Sequence, residues 1–90
     1  MSFAALPGDT PVVLCPEVAG DPRRAWSLSA DQDRVWMVWC GACRFETGRH
    51  GRLDALLAAW PLLAGQELPR MGQRLERDRD GIWMMREDLG

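Results

Sequence analysis

The chain has 90 residues, which is enough for one globular domain spanning 1–90 but not for a second core. Its apolar fraction of 47% and charged fraction of 27% are ordinary for a folded protein and exclude wholesale disorder. The net charge of −2 provides no general attraction to phosphate, so direct nucleic-acid binding is not expected.

The expected cellular compartment follows from the lack of a recognisable signal peptide or membrane-spanning segment in the sequence. The N-terminal stretch MSFAALPGDTP has neither the basic start nor the long apolar run of a signal peptide, and no segment approaches the roughly 20 apolar residues of a membrane-spanning helix. We therefore expect a cytoplasmic protein with no membrane partner. All eleven basic residues are Arg, and Lys, Asn and Tyr are absent, which indicates a GC-rich gene of a bacterium or a phage.

Three strands are predicted in the first half of the chain. Residues 11–15, PVVLC, favour an edge strand, because Pro is tolerated at strand ends and edges. Trp26 and Leu28 alternate with serines in the two-residue period of a second strand. Residues 34–40, RVWMVWC, are rich in β-branched and aromatic residues on both faces, which is typical of a central strand covered on both sides.

The segment CGAC, from Cys40 to Cys43, predicts a two-residue hairpin loop. Gly at the first central position is what a type II′ turn requires. Such a turn would return residues 43–47 along 36–40, with Val38 opposite Phe45.

The firmest prediction is a helix over 53–60. Leu53, Leu56, Leu57 and Trp60 fall at the spacing of one apolar helical face, and Pro61 is expected to stop or kink the helix. The last third favours a hairpin of 73–77 and 82–87 around Asp-Gly, although its apolar residues also fit a helical spacing. The predicted fold is therefore α+β, with a small antiparallel β-sheet, one amphipathic helix packed on one face and a C-terminal β-hairpin.

The three cysteines raise the possibility of a metal site. An odd number of thiols suits a reduced or metal-bound state better than a disulfide framework. A Cys-x-x-Cys turn that contains Gly resembles the knuckle of a zinc ribbon, in which both thiolates face one ion. Such a structural zinc site needs four ligands, and beside Cys40 and Cys43 the chain could supply Cys15 as the third and His50 as the fourth. Val18 stands where a second knuckle would have its second Cys.

Two other interpretations of the same residues remain open. Trp39-Cys40-Gly41-Ala42-Cys43-Arg44 resembles the active-site box of the thioredoxin family, which implies a dithiol oxidoreductase. The family has Pro where this chain has Ala42, and a long helix starts at its motif. In the third interpretation Cys40 and Cys43 flank a turn, Cys15 packs as a small apolar residue, and there is no cofactor.

No catalytic triad, phosphate loop or other enzymatic motif is present, so we expect a non-enzymatic protein. Trp, Met and Arg are enriched at protein interfaces and abundant here, which favours a module that binds an unidentified protein partner by occupying its surface. The predicted partner-binding residues are Arg74, Arg77, Arg79, Trp83 and Trp36. In size, acidity and lack of an active site, the chain is similar in kind to phage-encoded inhibitors of bacterial defence such as anti-CRISPR proteins.

Overall fold

The protein folds around a six-stranded sheet in the order β4-β1-β3-β2-β5-β6. The structure, a computed structural model, describes residues 1–30, 35–43 and 48–87. Its strands are β1 (Pro11–Leu14), β2 (Ser27–Ala30), β3 (Trp36–Trp39), β4 (Arg49–Arg52), β5 (Gln73–Arg77) and β6 (Trp83–Glu87). The α+β class is therefore confirmed.

The sheet is mixed, which corrects the predicted antiparallel sheet. β1 runs parallel to β3, with Leu14 beside Val38, whereas the other neighbouring strands are antiparallel. The chain between β1 and β3 contains a helix, a 3₁₀ turn and β2, which is long enough for the crossover that parallel strands require. β1 lies between β4 and β3, so its prediction as an edge strand was wrong. Pro11 is tolerated there because it is the first residue of the strand.

β3 is central, as predicted. Its edges pair with β1 and β2 over the same residues, so Val38 lies between Leu14 and Leu28. The predicted hairpin return of 43–47 falls on residues that, apart from Cys43, lie outside the described part of the chain. Phe45, the predicted partner of Val38, lies outside the described residues.

The described residues contain two α-helices, of which one was predicted from the sequence. α1 (Pro16–Gly20) follows β1 directly, and Pro16 occupies its first turn. α2 (Leu53–Ala59) has Leu53 and Leu56 buried, and it ends before Pro61, which begins a 3₁₀ helix. α2 contacts β4 and the neighbouring 3₁₀ turns.

The C-terminal region consists of strands, which excludes the helical alternative. β5 and β6 pair antiparallel, with Leu75 opposite Met85. Asp78 orders the connection between them, because its Oδ1 accepts hydrogen bonds from the backbone N–H groups of Asp80 and Ile82. Gly81 has a φ of +83°, the left-handed conformation that Gly adopts without steric cost.

The core is formed by buried side chains from the strands, the helices and the N-terminal turn. It comprises Phe3, Val12, Cys15, Val18, Ala25, Leu28, Val38, Trp39, Leu53, Leu56, Leu63, Leu75 and Trp83. Leu57 and Trp60, from the predicted helical face, pack against this cluster and remain partly exposed. Among the described residues, no helix is both long and apolar enough to cross a membrane.

Candidate metal centre

The sheet topology brings two cysteines of distant sequence position to one edge. β1 and β3 are parallel neighbours, and Cys15 and Cys40 are the residues that immediately follow them. The backbone N–H of Cys15 donates to the carbonyl of Val38 at 3.1 Å, which fixes the ends of the two strands side by side. The edge where parallel strands end is a common location for binding sites in sheets of this kind.

The three sulfur atoms are close enough to share one ion. The Sγ atoms of Cys15, Cys40 and Cys43 all lie within 4.8 Å of one another, and those of Cys40 and Cys43 are 3.4 Å apart. Two zinc–sulfur bonds of about 2.3 Å at the tetrahedral angle would place their sulfurs ~3.8 Å apart. Small side-chain adjustments would therefore bring the three thiolates onto one tetrahedral ion.

The Cys40–Cys43 segment has the local features of a metal-binding knuckle. The backbone N–H groups of Ala42 and Cys43 interact with the sulfur of Cys40 and lower its pKa. Gly41 has a φ of +86°, the positive φ that the predicted turn places at this position. N–H groups aimed at a sulfur both orient the ligand and stabilise its anionic form.

The thiols differ in exposure and in acidity. Cys15 is fully buried, whereas Cys40 and Cys43 are partly exposed. Burial opposes ionisation of Cys40, but the two backbone N–H groups and the neighbouring thiols outweigh it and lower the pKa of Cys40. The hydrogen bond to Cys40, followed by burial, raises the pKa of Cys43 to about 11. The cluster therefore favours negative charge on Cys40 before Cys43.

His50 does not join the cysteines, so the predicted four-residue ligand set was wrong in its fourth member. It lies in β4 opposite Val13, is exposed, and is not part of the cluster of possible ligands among the described residues. Pairing with β1 holds it in the edge strand β4.

A surface cleft of about 530 Å³ opens beside the partly exposed thiols. Its lining residues are Glu17, Arg24, Trp26, Cys40, Ala42, Cys43 and Arg77. The backbone N–H of Glu17 acts on the pKa of Cys43 in the lowering direction, and the Glu17 carboxylate pairs with the Arg24 guanidinium at 2.6 Å. The sequence analysis did not identify Glu17, although its position two residues after Cys15 was a usable signal. An ion held by the three thiolates would be accessible from this cleft.

Two of the predicted partner-binding side chains make extensive contacts within the fold. Trp83 is 4% exposed and belongs to the core, so its predicted role as a surface anchor is wrong. Arg77 lies 4.8 Å from the ring centres of both Trp26 and Trp60, and it donates to the carbonyl of Ala25. These contacts hold the Arg77 side chain in place where it lines the cleft.

The remaining predicted partner-binding residues lie on different parts of the sheet. Trp36 is half-buried and packs edge-on against Phe3, with 5.3 Å between ring centres. Arg74 in β5 pairs with Glu76 at 3.2 Å. Arg79 is exposed in the connection between β5 and β6.

The resemblance to the thioredoxin active-site box does not extend to the structure around it. In that family a long helix starts at the motif, whereas here β4 begins at Arg49, soon after Cys43. Residues 44–47, which include Arg44 of the box, lie outside the described residues. The Cys-x-x-Cys pair is therefore held by a bend at the end of a strand, not by a long helix.

Gly41→Val is expected to be much more damaging than Ala42→Val. A β-branched residue at the positive φ of Gly41 is strained by about 1–3 kcal/mol, whereas Ala42 is exposed. Chemical denaturation of both variants measures the difference. Equal loss of stability would mean that the left-handed conformation at Gly41 is not required for the bend.

Comparison of the chain with protein-family models, curated proteins and solved structures finds no match.

Proposed function

We propose that the protein is a small zinc-binding module in which Cys15, Cys40 and Cys43 supply three thiolate ligands. The observation that carries this proposal is the convergence of three sulfurs within 4.8 Å from two segments far apart in sequence. Apolar packing alone gives no reason for a Cys-x-x-Cys bend to aim its N–H groups at a sulfur beside a third cysteine. Thiolate ligands and a tetrahedral arrangement favour zinc over hard cations such as magnesium.

Zinc bound in this way would add a cross-link between two segments that backbone pairing of β1 with β3 places side by side. Cys15 lies at the start of α1, and Cys40 and Cys43 flank the bend after β3. One ion would join the β1–α1 junction to that bend. In a 90-residue chain with a limited core, such a link contributes directly to folding stability.

The fourth coordination position would face the cleft. Cys40 and Cys43 line the cleft, whereas Cys15 lies fully buried behind them. Water or the carboxylate of Glu17, which lines the same cleft, would complete a tetrahedron.

Cobalt(II) substitution tests the proposed ligand set. Cobalt bound to three thiolates produces an intense thiolate-to-metal charge-transfer band and strong visible absorption typical of tetrahedral coordination. We expect both in the parent protein and in His50→Ala, and neither at full intensity in Cys15→Ser. Loss of the spectrum in His50→Ala but not in Cys15→Ser would contradict the three-cysteine site.

A second candidate function is binding of a protein partner at the β5–β6 end. It is favoured by an exposed apolar and basic surface there, with Ile82 58% and Met84 40% exposed beside the exposed Arg79. Together with Arg86 and neighbouring residues, Met84 and Arg79 line a second cleft. Inhibition of a bacterial defence system, in the manner of anti-CRISPR proteins, would be one use of such a surface.

Arg79→Ala is expected to weaken partner binding by about 30-fold, equivalent to roughly 2 kcal/mol, with little change in stability. A partner captured from bacterial lysate with the parent protein would be titrated against this variant. Arg49→Ala is the matched control, since Arg49 is also exposed but lies in the opposite edge strand. Equal affinity of both variants and the parent would place the interface elsewhere.

A further inference from the structure

We propose that Cys40 and Cys43 are a redox-active pair that forms an intramolecular disulfide under mild oxidation and thereby controls metal binding. The control of metal binding rests on the proposed zinc function, whereas formation of the disulfide does not. The geometric basis is the 3.4 Å separation of the two sulfurs, which are partly exposed at the edge of a cleft.

The bend holds these two sulfurs nearly within reach of a covalent bond. A disulfide requires a sulfur–sulfur distance of about 2.05 Å, so the pair must close by roughly 1.4 Å. The intervening Gly41 and Ala42 are both exposed, and Cys40 and Cys43 are only partly buried where they pack against the core, so closure needs only a small rotation of the two side chains. The third thiol, Cys15, is fully buried, which shields it from an oxidant in solution.

The reaction with hydrogen peroxide balances without another component. The sulfur of Cys40 attacks one peroxide oxygen, the O–O bond breaks, and Cys40 becomes a sulfenic acid as the first water leaves. The sulfur of Cys43 then attacks the sulfenic sulfur, the S–O bond breaks, and the second water leaves. Two thiols lose two electrons and two protons, and peroxide is reduced to two waters.

Disulfide formation would remove two of the three metal ligands at once. Disulfide sulfurs are not thiolates, so Cys15 alone would remain to bind the ion. Oxidation would therefore release zinc, and reduction by a dithiol would restore the site. Bound zinc would in turn slow oxidation, because it occupies the sulfur lone pairs that attack the oxidant.

The test begins with reduced, metal-free parent protein treated with a stoichiometric amount of hydrogen peroxide. We expect the loss of two titratable thiols, and peptide mapping by mass spectrometry should find Cys40 linked to Cys43 while Cys15 stays free. Cys15→Ser should form the same bond, and Cys40→Ser should not. Three thiols remaining free, a linkage through Cys15, or oxidation to sulfinic acid alone would overturn the proposal.

The second arm follows zinc-loaded protein with a chromogenic chelator during oxidation. We expect zinc release in step with disulfide formation and recovery of binding after treatment with dithiothreitol. If zinc binds but no disulfide forms, the redox proposal fails and the zinc function stands. If the disulfide forms in a protein that never binds zinc, the redox pair stands and the zinc function fails.

Discussion

Replacing Trp83 by alanine is expected to lower the free energy of unfolding by about 3–5 kcal/mol, the usual cost of deleting a large buried aromatic ring. The Trp83 ring is 4% exposed and packs edge-on against Trp60, with 5.7 Å between ring centres. A small domain has a total stability of roughly 5–15 kcal/mol, so this loss is a large part of it. Denaturation with urea, followed by tryptophan fluorescence and circular dichroism, measures the change.

Two variants at and beside this position provide controls. Ile82→Ala removes the neighbouring side chain, which is 58% exposed, and should change stability by no more than about 0.5 kcal/mol. Trp83→Phe keeps an aromatic ring and removes an indole N–H that is buried without an acceptor among the described residues. We expect it to be far milder than Trp83→Ala. If Trp83→Ala unfolds at nearly the same urea concentration as the parent, the Trp83 side chain does not contribute to the stability of the core.

The second large effect concerns zinc and folding stability. Free zinc at about 1,000 times its dissociation constant stabilises a folded protein by roughly 4 kcal/mol. In a domain of this size each kcal/mol raises the melting temperature by roughly 4–8 °C, so we expect an increase of about 15 °C or more. Differential scanning calorimetry in zinc and in chelator measures this shift.

Matched variants distinguish stabilisation by zinc bound at the cysteines from a nonspecific effect of divalent cations on stability. His50→Ala should retain the full stabilisation, because His50 lies outside the cluster, and Cys15→Ser should lose most of it. Magnesium, which prefers oxygen ligands, should have no effect. Identical melting curves of the parent protein in zinc and in chelator would contradict a structural metal.

Elements with a strong local pattern could be predicted from the sequence. The apolar run that contains β3 indicated a central strand, because both faces carry large side chains that need cover. The leucine spacing of α2 and the stop at Pro61 were equally local features. The terminal strands predicted at 73–77 and 82–87 correspond to β5 and β6.

Elements that depend on distant partners were missed. β4 carries the sequence RHGR, which has no alternating apolar pattern, and its pairing with β1 is what makes it a strand. Gly51 lies in this strand opposite Val12. A Cβ there would lie 2.7 Å from Leu14 Cδ1, so its lack of a side chain allows the close approach of β1. The parallel pairing of β1 with β3 likewise has no local signal in the sequence.

The candidate site was predicted only in part, because its geometry also depends on pairing between segments that are distant in sequence. Residue chemistry identified Cys15, Cys40 and Cys43, and the structure brings them together. His50 was chosen as the fourth ligand because it is the single histidine of the chain, whereas its pairing in β4 places it outside the cysteine cluster. Trp83 was assigned to the surface because which face of β6 is buried depends on how the whole sheet packs.

The most direct test of the zinc site is the metal content of the parent protein purified under reducing conditions without chelator. Inductively coupled plasma mass spectrometry, combined with amino-acid analysis for protein concentration, gives the molar ratio of zinc to chain. We expect a ratio close to one in the parent and in His50→Ala, and a ratio near zero in Cys15→Ser and Cys40→Ser. A parent protein that is folded and fully reduced, yet contains no zinc and takes none up on dialysis against it, would contradict the three-thiolate site.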